Sequence, residues 1–232
     1  MAFFADFKNS LGAYSKGLKL MSELKLWKFT LIPVLIGLVL GSIIIGLAWS
    51  LSDNLGQLIG SLWPFEFGSA FMNSVGTFMG GFLILIAGFI LFKHLVMAFS
   101  APFMTPVSER IEMHLTKKEL DLTNSTAEYL GALKRGIRIN LRNLLLEILI
   151  TTPLLILGLI PLINIFTTLA IFYVQSYYAG FGNMDYTLER HKKYHETAKF
   201  VAKKRGVAVG NGFIFMLMLL IPSFGIMLTL PI

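Results

Sequence analysis

Four long stretches of this 232-residue chain contain no Asp, Glu, Lys, Arg or His. They are 29–52, 67–92, 148–184 and 206–232, with 24, 26, 37 and 27 residues. A helix that crosses a bilayer needs roughly 20 apolar residues. The first two stretches therefore have the length of single transmembrane helices, and the pattern predicts an all-α integral membrane protein.

The composition excludes the common soluble classes. Only 14% of the residues are charged, whereas a soluble domain has about 25%, so an ordinary soluble enzyme is not expected. The chain has no Cys and therefore no disulfide scaffold. It has 20 Lys and Arg against 13 Asp and Glu, a net charge of +7. In so apolar a chain this excess indicates membrane topology and anionic lipid as a partner, and not nucleic acid.

The basic residues predict the orientation. Segments 1–28, 93–147 and 185–205 contain five, eight and seven Lys or Arg, whereas 53–66 contains none. Because cytoplasmic loops collect Lys and Arg, we expect the first three segments inside the cell, the N-terminus included, and 53–66 outside. We expect a single membrane domain over 1–232, with 29–52 and 67–92 as its two long transmembrane helices.

Stretch 148–184 has basic segments on both sides, so we expect it to enter and leave the membrane on the same side. With a break between 157 and 164, each arm has about 15 residues, or ~23 Å of helix, which is less than the ~30 Å hydrocarbon core. This predicts a helical hairpin that penetrates without spanning. Stretch 206–232 is rich in Gly and Pro and predicts a second, truncated hairpin.

Residues 1–28 predict an amphipathic helix with a stripe of Phe3, Phe7, Tyr14 and other apolar residues. We expect it to lie on the membrane surface. The alternative is that the stripe packs on other helices of the same protein.

Basic residues line two further predicted cytoplasmic helices, one that begins at the capping-box pattern of Ser125 and Glu128 and one that begins near Asp185. Either they contact lipid phosphates, or they gather a small anion at a pore mouth. The candidate anion-attracting residues are Lys134, Arg135, Arg138, Arg142, Lys204 and Arg205.

Two pairs of glycines spaced four apart, Gly37 with Gly41 and Gly76 with Gly80, predict close helix packing within the protein or between subunits. His191 and His195 have the spacing of two zinc ligands on a helix, but their neighbours are lysines and no Glu follows the first His. We therefore expect no metal, no cofactor and no catalytic residues. A proton relay would have to use groups at the ends of the apolar stretches, such as Glu109, Glu112, Glu147 or Asp185.

Several segments together resemble the bacterial sulfate transporter CysZ family, which is related to the etoposide-induced protein 2.4 family. The matching elements, in chain order, are Lys16-Gly17-Leu18-Lys19, the Trp27 to Pro33 entry to the first span, Ala101-Pro102-Phe103 followed by Glu109 and Glu112, Leu159-Ile160-Pro161, Asp185-Tyr186, Lys203-Lys204-Arg205-Gly206, Gly212-Phe213 and Ile221-Pro222. The resemblance implies a homo-oligomer in the bacterial inner membrane with two long transmembrane helices and two partly penetrating hairpins. It also implies sulfate uptake for cysteine synthesis, with proton dependence.

The resemblance places the sulfate contact at Gly17, Leu18 and Lys19. The family's element ends in Arg or Lys; here Lys supplies charge without a planar fork. A dianion also needs backbone N–H donors, which the start of a helix provides, and Gly17 permits a close approach. Without the resemblance, an interfacial helix with snorkelling lysines is the favoured interpretation.

Two other function classes stay open at this point. One is a membrane scaffold or interaction protein without transport activity, organised by its GxxxG faces and basic stripes. The other is an enzyme that acts on lipid headgroups, which the missing nucleophile, base and metal constellations disfavour.

Overall fold

The computed structural model describes residues 2–61, 68–118, 126–158, 160 and 162–219, and this part of the chain is helical, without strands. After α1 (Ala2–Glu23) come a short 3₁₀ helix (Leu26–Thr30), α2 (Leu31–Gly60), α3 (Ser69–Thr116), α4 (Thr126–Leu157), α5 (Asn164–His191), α6 (Tyr194–Lys203) and α7 (Arg205–Leu219). The predicted all-α class is confirmed. The arrangement into two transmembrane helices and two hairpins stays a prediction.

Three helical segments of the described chain are long and apolar enough to cross a membrane, by length and composition: Leu26–Leu58, Ile90–Thr116 and Thr126–Leu157. The first has the most apolar window, and only 17% of that window is buried within the protein, against 61% for the second. Side chains such as Leu35, Leu38 and Ile45 are exposed. An exposed surface this apolar suits contact with lipid.

The chain divides into two compact units, and the smaller unit, Ile36–Lys93, contains most of α2 and the first half of α3. The two helices approach closely at glycines. A Cβ on Gly76 would lie 2.6 Å from the carbonyl oxygen of Gly56, and one on Gly80 would lie 2.7 Å from the Cβ of Leu55. At Gly41 the nearest atom is a ring carbon of Phe92 at 3.9 Å, an ordinary contact, and Gly37 is buried one turn earlier in α2.

The larger unit, 1–35 with 94–232, has α7 packed between α1 and α5. Glycines set the α5–α7 distance, because a Cβ on Gly180 would lie 2.8 Å from the amide nitrogen of Gly212. On the other side, Ser10 Oγ donates to the Val207 carbonyl at 3.0 Å and Tyr14 Oη donates to the Asn211 carbonyl at 2.8 Å. These bonds join residues almost 200 positions apart and fix α1 onto α7.

The apolar stripe of α1 therefore packs partly on the protein itself. The rings of Phe7 and Phe213 meet edge to face, 5.8 Å between centroids, and Tyr14 is buried. Phe4, which neighbours them on the stripe, is 77% exposed. At Phe7 and Tyr14 the structure supports the alternative interpretation, in which the stripe packs on another helix of the same protein.

The break between α4 and α5 lies at 158–163, inside the predicted interval, and Asn164 Nδ2 closes it by donating to the Gly158 carbonyl at 2.6 Å. The arms, however, are not separate helices of about 15 residues, because α4 has 32 residues and α5 has 28. The predicted helix start near Asp185 is also wrong, because α5 continues through this residue to His191. A boundary between charged and uncharged sequence indicates a change of surroundings. The backbone hydrogen bonds of a helix continue across such a boundary.

The other predicted boundaries behave similarly. The limit between 92 and 93 falls inside α3, and α6 begins at Tyr194, after an extended Lys192 ends α5. The ingoing arm of the second hairpin corresponds to α7, whereas its turn and return arm, along with the Ser125 cap, lie outside the described residues.

Candidate functional site

The segment Gly17-Leu18-Lys19 lies within α1, close to its C-terminal end. Its backbone N–H groups already donate along the helix, because only the first turn of a helix has free N–H groups. The prediction that this segment offers free backbone N–H donors at the start of a helix is therefore wrong. What remains for an anion is the ammonium of Lys19, whose side chain is 77% exposed and lies 3.6 Å from Glu23.

More cations lie just beyond α1. The helix ends where Lys25 adopts a left-handed conformation with φ of 54°, and Trp27 Nε1 donates to Ser22 Oγ at 3.1 Å across this corner. The ammonium of Lys28 and the guanidinium of Arg110 lie 5.5 and 5.2 Å from the centroid of the Phe29 ring. The first candidate span thus starts in a positively charged corner, which attracts anions.

Two of the six candidate anion-attracting residues are engaged in ion pairs. Arg135 holds Asp185 with Nη2 at 2.7 Å and also donates to the Lys192 carbonyl at 2.8 Å and to Thr197 Oγ1 at 2.9 Å. Lys204 Nζ lies 3.2 Å from both oxygens of Asp6. These two cations join helices, and their charge is already balanced.

The other four candidates are more open. The guanidinium of Arg138 lies 4.1 Å from the centroid of the Tyr194 ring, and that of Arg142 lies 5.5 Å from the Phe181 ring. Lys134 and Arg205 are exposed. Arg138, Lys134 and Arg205 remain able to meet a phosphate or a small anion at the surface.

A cavity of about 310 Å³ that contains several charged side chains lies between α3, α4 and α5. Its wall includes Glu189, whose Oε1 is hydrogen-bonded to Thr105 Oγ1. Burial raises the pKa of Glu189 from 4.5 to about 7. Burial also raises the pKa of Asp185, against the opposing effect of the Arg135 guanidinium.

A second ion-pair group connects α3 with the end of α5. Arg190 Nη2 donates to Glu112 Oε2 at 2.6 Å and to Ser108 Oγ at 2.9 Å, and His191 Nε2 lies 2.9 Å from Glu112 Oε1. His191 and His195 do not lie on one helix, because His191 ends α5 whereas His195 belongs to α6. The helical spacing of two zinc ligands, which the sequence suggested, is therefore not formed. Within the described residues no group of His, Cys, Asp and Glu could hold a metal ion.

A buried pair also connects α3 and α4. His94 Nε2 lies 3.1 Å from Glu147 Oε2, and both side chains are 3% exposed. Sequence reasoning singled out Glu147 and counted Arg190 among the basic residues of a helix, but it missed His94 and Glu189. The i, i+4 spacing of Asp185 and Glu189 beside Arg190 was a visible signal for a polar helix face, whereas nothing in the sequence connects His94 to Glu147, 53 residues away.

The helices and the site together define a class of protein: an all-helical membrane protein with buried polar pairs between its helices and cations at the start of its first candidate span. Residues 13–229 match the family described as "Sulfate transporter CysZ/Etoposide-induced protein 2.4", so the chain belongs to this family.

Curated relatives agree with the family match. The chain is 28% identical over 220 residues to a protein of Pseudomonas paraeruginosa named "Sulfate transporter CysZ", a comparison that covers 89% of this chain and 84% of the relative. Two proteins of Pseudomonas aeruginosa with the same name are 27% identical over the same shares.

Proposed function

We propose that this protein carries sulfate across the bacterial inner membrane into the cell, where it supplies cysteine synthesis, and that uptake depends on protons. The observation that carries the proposal is the extent of the family match, which runs through residues 13–229 and so includes the three candidate spans of the described residues. The relatives named as sulfate transporters match 89% of this chain. The protein is a transporter and not an enzyme.

The positively charged corner at the end of α1 supports an anion as the cargo. Sulfate is a dianion at neutral pH, and an unpaired dianion is costly to bring near lipid. Lys19 and Lys25 with Lys28 and Arg110 supply cations next to the start of Leu26–Leu58, the most apolar candidate span. We place the sulfate contact at Gly17, Leu18 and Lys19, with the ammonium of Lys19 as the main ligand. The basic residues on α4 and α7, Lys134, Arg138 and Arg205, increase the local anion concentration.

The remaining features of the proposal concern assembly and orientation. We propose a homo-oligomer with the N-terminus in the cytoplasm, in contact with membrane lipid through the exposed apolar faces of α2 and α4. The hairpin formed by the end of α4 and the start of α5 enters the membrane from the cytoplasmic side. No nucleic acid is involved.

Uptake of radiolabelled sulfate into proteoliposomes tests the proposal. We expect vesicles with the purified protein to accumulate more sulfate than protein-free vesicles, and excess unlabelled sulfate to abolish the difference. Equal accumulation in both types of vesicle, with the protein correctly folded by its thermal transition, would contradict transport and would favour the scaffold alternative.

A further inference from the structure

The cavity between α3, α4 and α5 is lined by three carboxylates and two arginines. Its wall includes Glu109, Glu128 and Glu189 on one hand and Arg135 and Arg190 on the other. The titratable and charged groups around Glu189, by helix, are Glu109 and Glu112 on α3, Glu128, Tyr129 and Arg135 on α4, and Asp185, Tyr186 and Arg190 on α5.

Both arginines of the cavity are bound to other carboxylates. Arg135 pairs with Asp185 at 2.7 Å, and Arg190 pairs with Glu112 at 2.6 Å. Glu189 forms no ion pair within the described residues, and its hydrogen-bonding partner there is Thr105. Arg135 and Arg190 lower the pKa of Glu189 through their charge, but neither forms an ion pair with it, and the effect of burial, which raises the pKa, is larger.

The contacts of Thr105 are compatible with a neutral carboxyl group at Glu189, because one hydroxyl faces two acceptors. Thr105 Oγ1 also lies 3.1 Å from the Ala101 carbonyl, one turn earlier in α3, the usual back-bond of a helical threonine. A hydroxyl has one hydrogen to donate. When Thr105 donates it to Ala101, the hydrogen between Thr105 and Glu189 must come from the carboxyl group of Glu189.

The same hydroxyl also accommodates the ionised form. If Glu189 loses its proton, Thr105 rotates and donates to the carboxylate, and the bond to Ala101 is given up. The pair is therefore satisfied in either protonation state, with one hydrogen bond more in the neutral state. The two protonation states of this pair therefore differ in the orientation of the Thr105 hydroxyl hydrogen.

We propose that Glu189 is a proton-binding site of this protein and that its protonation increases sulfate uptake. This rests on the proposed function. When Glu189 is ionised, it adds a negative charge one helical turn from Asp185, in a cavity whose cations are already paired. That charge repels a dianion, and protonation removes it. By linkage, bound sulfate and the bound proton then favour each other.

The expected pH range follows from the pKa of about 7 for this group in the folded protein, above its ordinary value of 4.5. The raised pKa means that the folded state binds the proton more tightly than the unfolded chain. Glu189 therefore has no destabilising effect below about pH 4.5 and destabilises the fold as the pH rises through about 7. Between pH 6 and pH 8 the protonated fraction falls from about 0.9 to about 0.1.

Two measurements on the full-length protein test the proposal separately from transport itself. The first is the melting temperature of purified protein as a function of pH. The wild type should lose stability between pH 5 and 8, and Glu189→Gln, which mimics the neutral carboxyl group, should flatten this decline. The second is sulfate uptake with equal pH on both sides of the vesicle. Wild-type uptake should fall by up to about tenfold from pH 6 to pH 8, and Glu189→Gln should change by less than about twofold.

Glu128→Gln is the matched control, because Glu128 lines the same cavity but is exposed near the start of α4; it should keep both wild-type profiles. An unchanged melting profile in Glu189→Gln would overturn the proton site. A flattened melting profile with a wild-type uptake profile would overturn the link to uptake. If the wild type transports no sulfate at any pH, the proposed function fails and with it the link to uptake, whereas the melting profiles still decide whether Glu189 binds the proton.

Discussion

Arg135 and Asp185 form a two-pronged ion pair between α4 and α5, with Nη2 at 2.7 Å from Oδ1 and Nε at 3.2 Å from Oδ2. The remaining donors of the same guanidinium hold the Lys192 carbonyl, where α5 ends, and Thr197 in α6. One side chain thus joins three helices, and it does so where the side chain of Asp185 is only 6% exposed.

Replacing Arg135 should destabilise the protein strongly. Arg135→Ala leaves a buried carboxylate without its cation, a change that costs about 3–5 kcal/mol. Arg135→Lys should recover only part of the loss, because an ammonium cannot make the parallel pair of bonds. The melting temperature of the purified protein measures both effects.

Arg138→Ala is the control for this prediction, since Arg138 is exposed on the same helix and stacks on Tyr194. It should shift the melting temperature much less. Equal shifts of the melting temperature for the Arg135 and Arg138 variants would mean that the buried ion pair stabilises the protein no more than the exposed Arg138 does.

The glycines of the α2–α3 unit should differ sharply in their tolerance of a methyl group. In Gly76→Ala the new Cβ would be 2.6 Å from the Gly56 carbonyl oxygen, so the helices must separate, at a cost of about 1–3 kcal/mol. Gly41→Ala has 3.9 Å of room and should be neutral or slightly stabilising, because Ala favours helix. Melting temperatures in detergent test the order, and a Gly41→Ala variant less stable than Gly76→Ala would contradict it.

The sequence predicted the helical membrane class because uncharged stretches of 24 to 37 residues leave few alternatives. The helix limits were less accessible. Residues 93, 148 and 185 are charge boundaries, yet α3, α4 and α5 pass through all three, since a helix ends where its backbone bonding ends and not where its surroundings change.

The site could be predicted only in part. The basic residues were visible, but their partners were not: Arg135 and Asp185 are 50 positions apart, and Thr105 and Glu189 are 84 apart. Which cations stay available to an anion depends on these tertiary pairs. A count of charges along the chain therefore treats the engaged Arg135 and the exposed Arg138 as equals.

The hairpin between α4 and α5 should be inaccessible from outside the cell. The chain has no native Cys, so single cysteines can be introduced directly. Leu162, which is 87% exposed next to the break, reports on the hairpin tip, and Ser61, exposed after α2, reports on the predicted outside loop. An impermeant thiol reagent added to intact cells should label Ser61→Cys and spare Leu162→Cys, because the tip would lie in the membrane. Labelling of both at the same rate would indicate two full spans.

Lys19 should matter more for sulfate than another lysine of the same helix. Lys19 is exposed near the end of α1, which is followed by the positively charged corner with Lys28 and Arg110. Lys8 is exposed near the start of the same helix. Lys19→Ala removes a charge-assisted contact and should weaken sulfate binding by about tenfold or more. Lys19→Arg should preserve or strengthen binding, because a planar guanidinium can meet two sulfate oxygens at once. Lys8→Ala should leave it nearly unchanged. The measurement is sulfate affinity of the purified protein at fixed ionic strength. Equal losses for Lys19→Ala and Lys8→Ala would reduce the effect to surface charge, and no loss for either would place sulfate elsewhere in the protein.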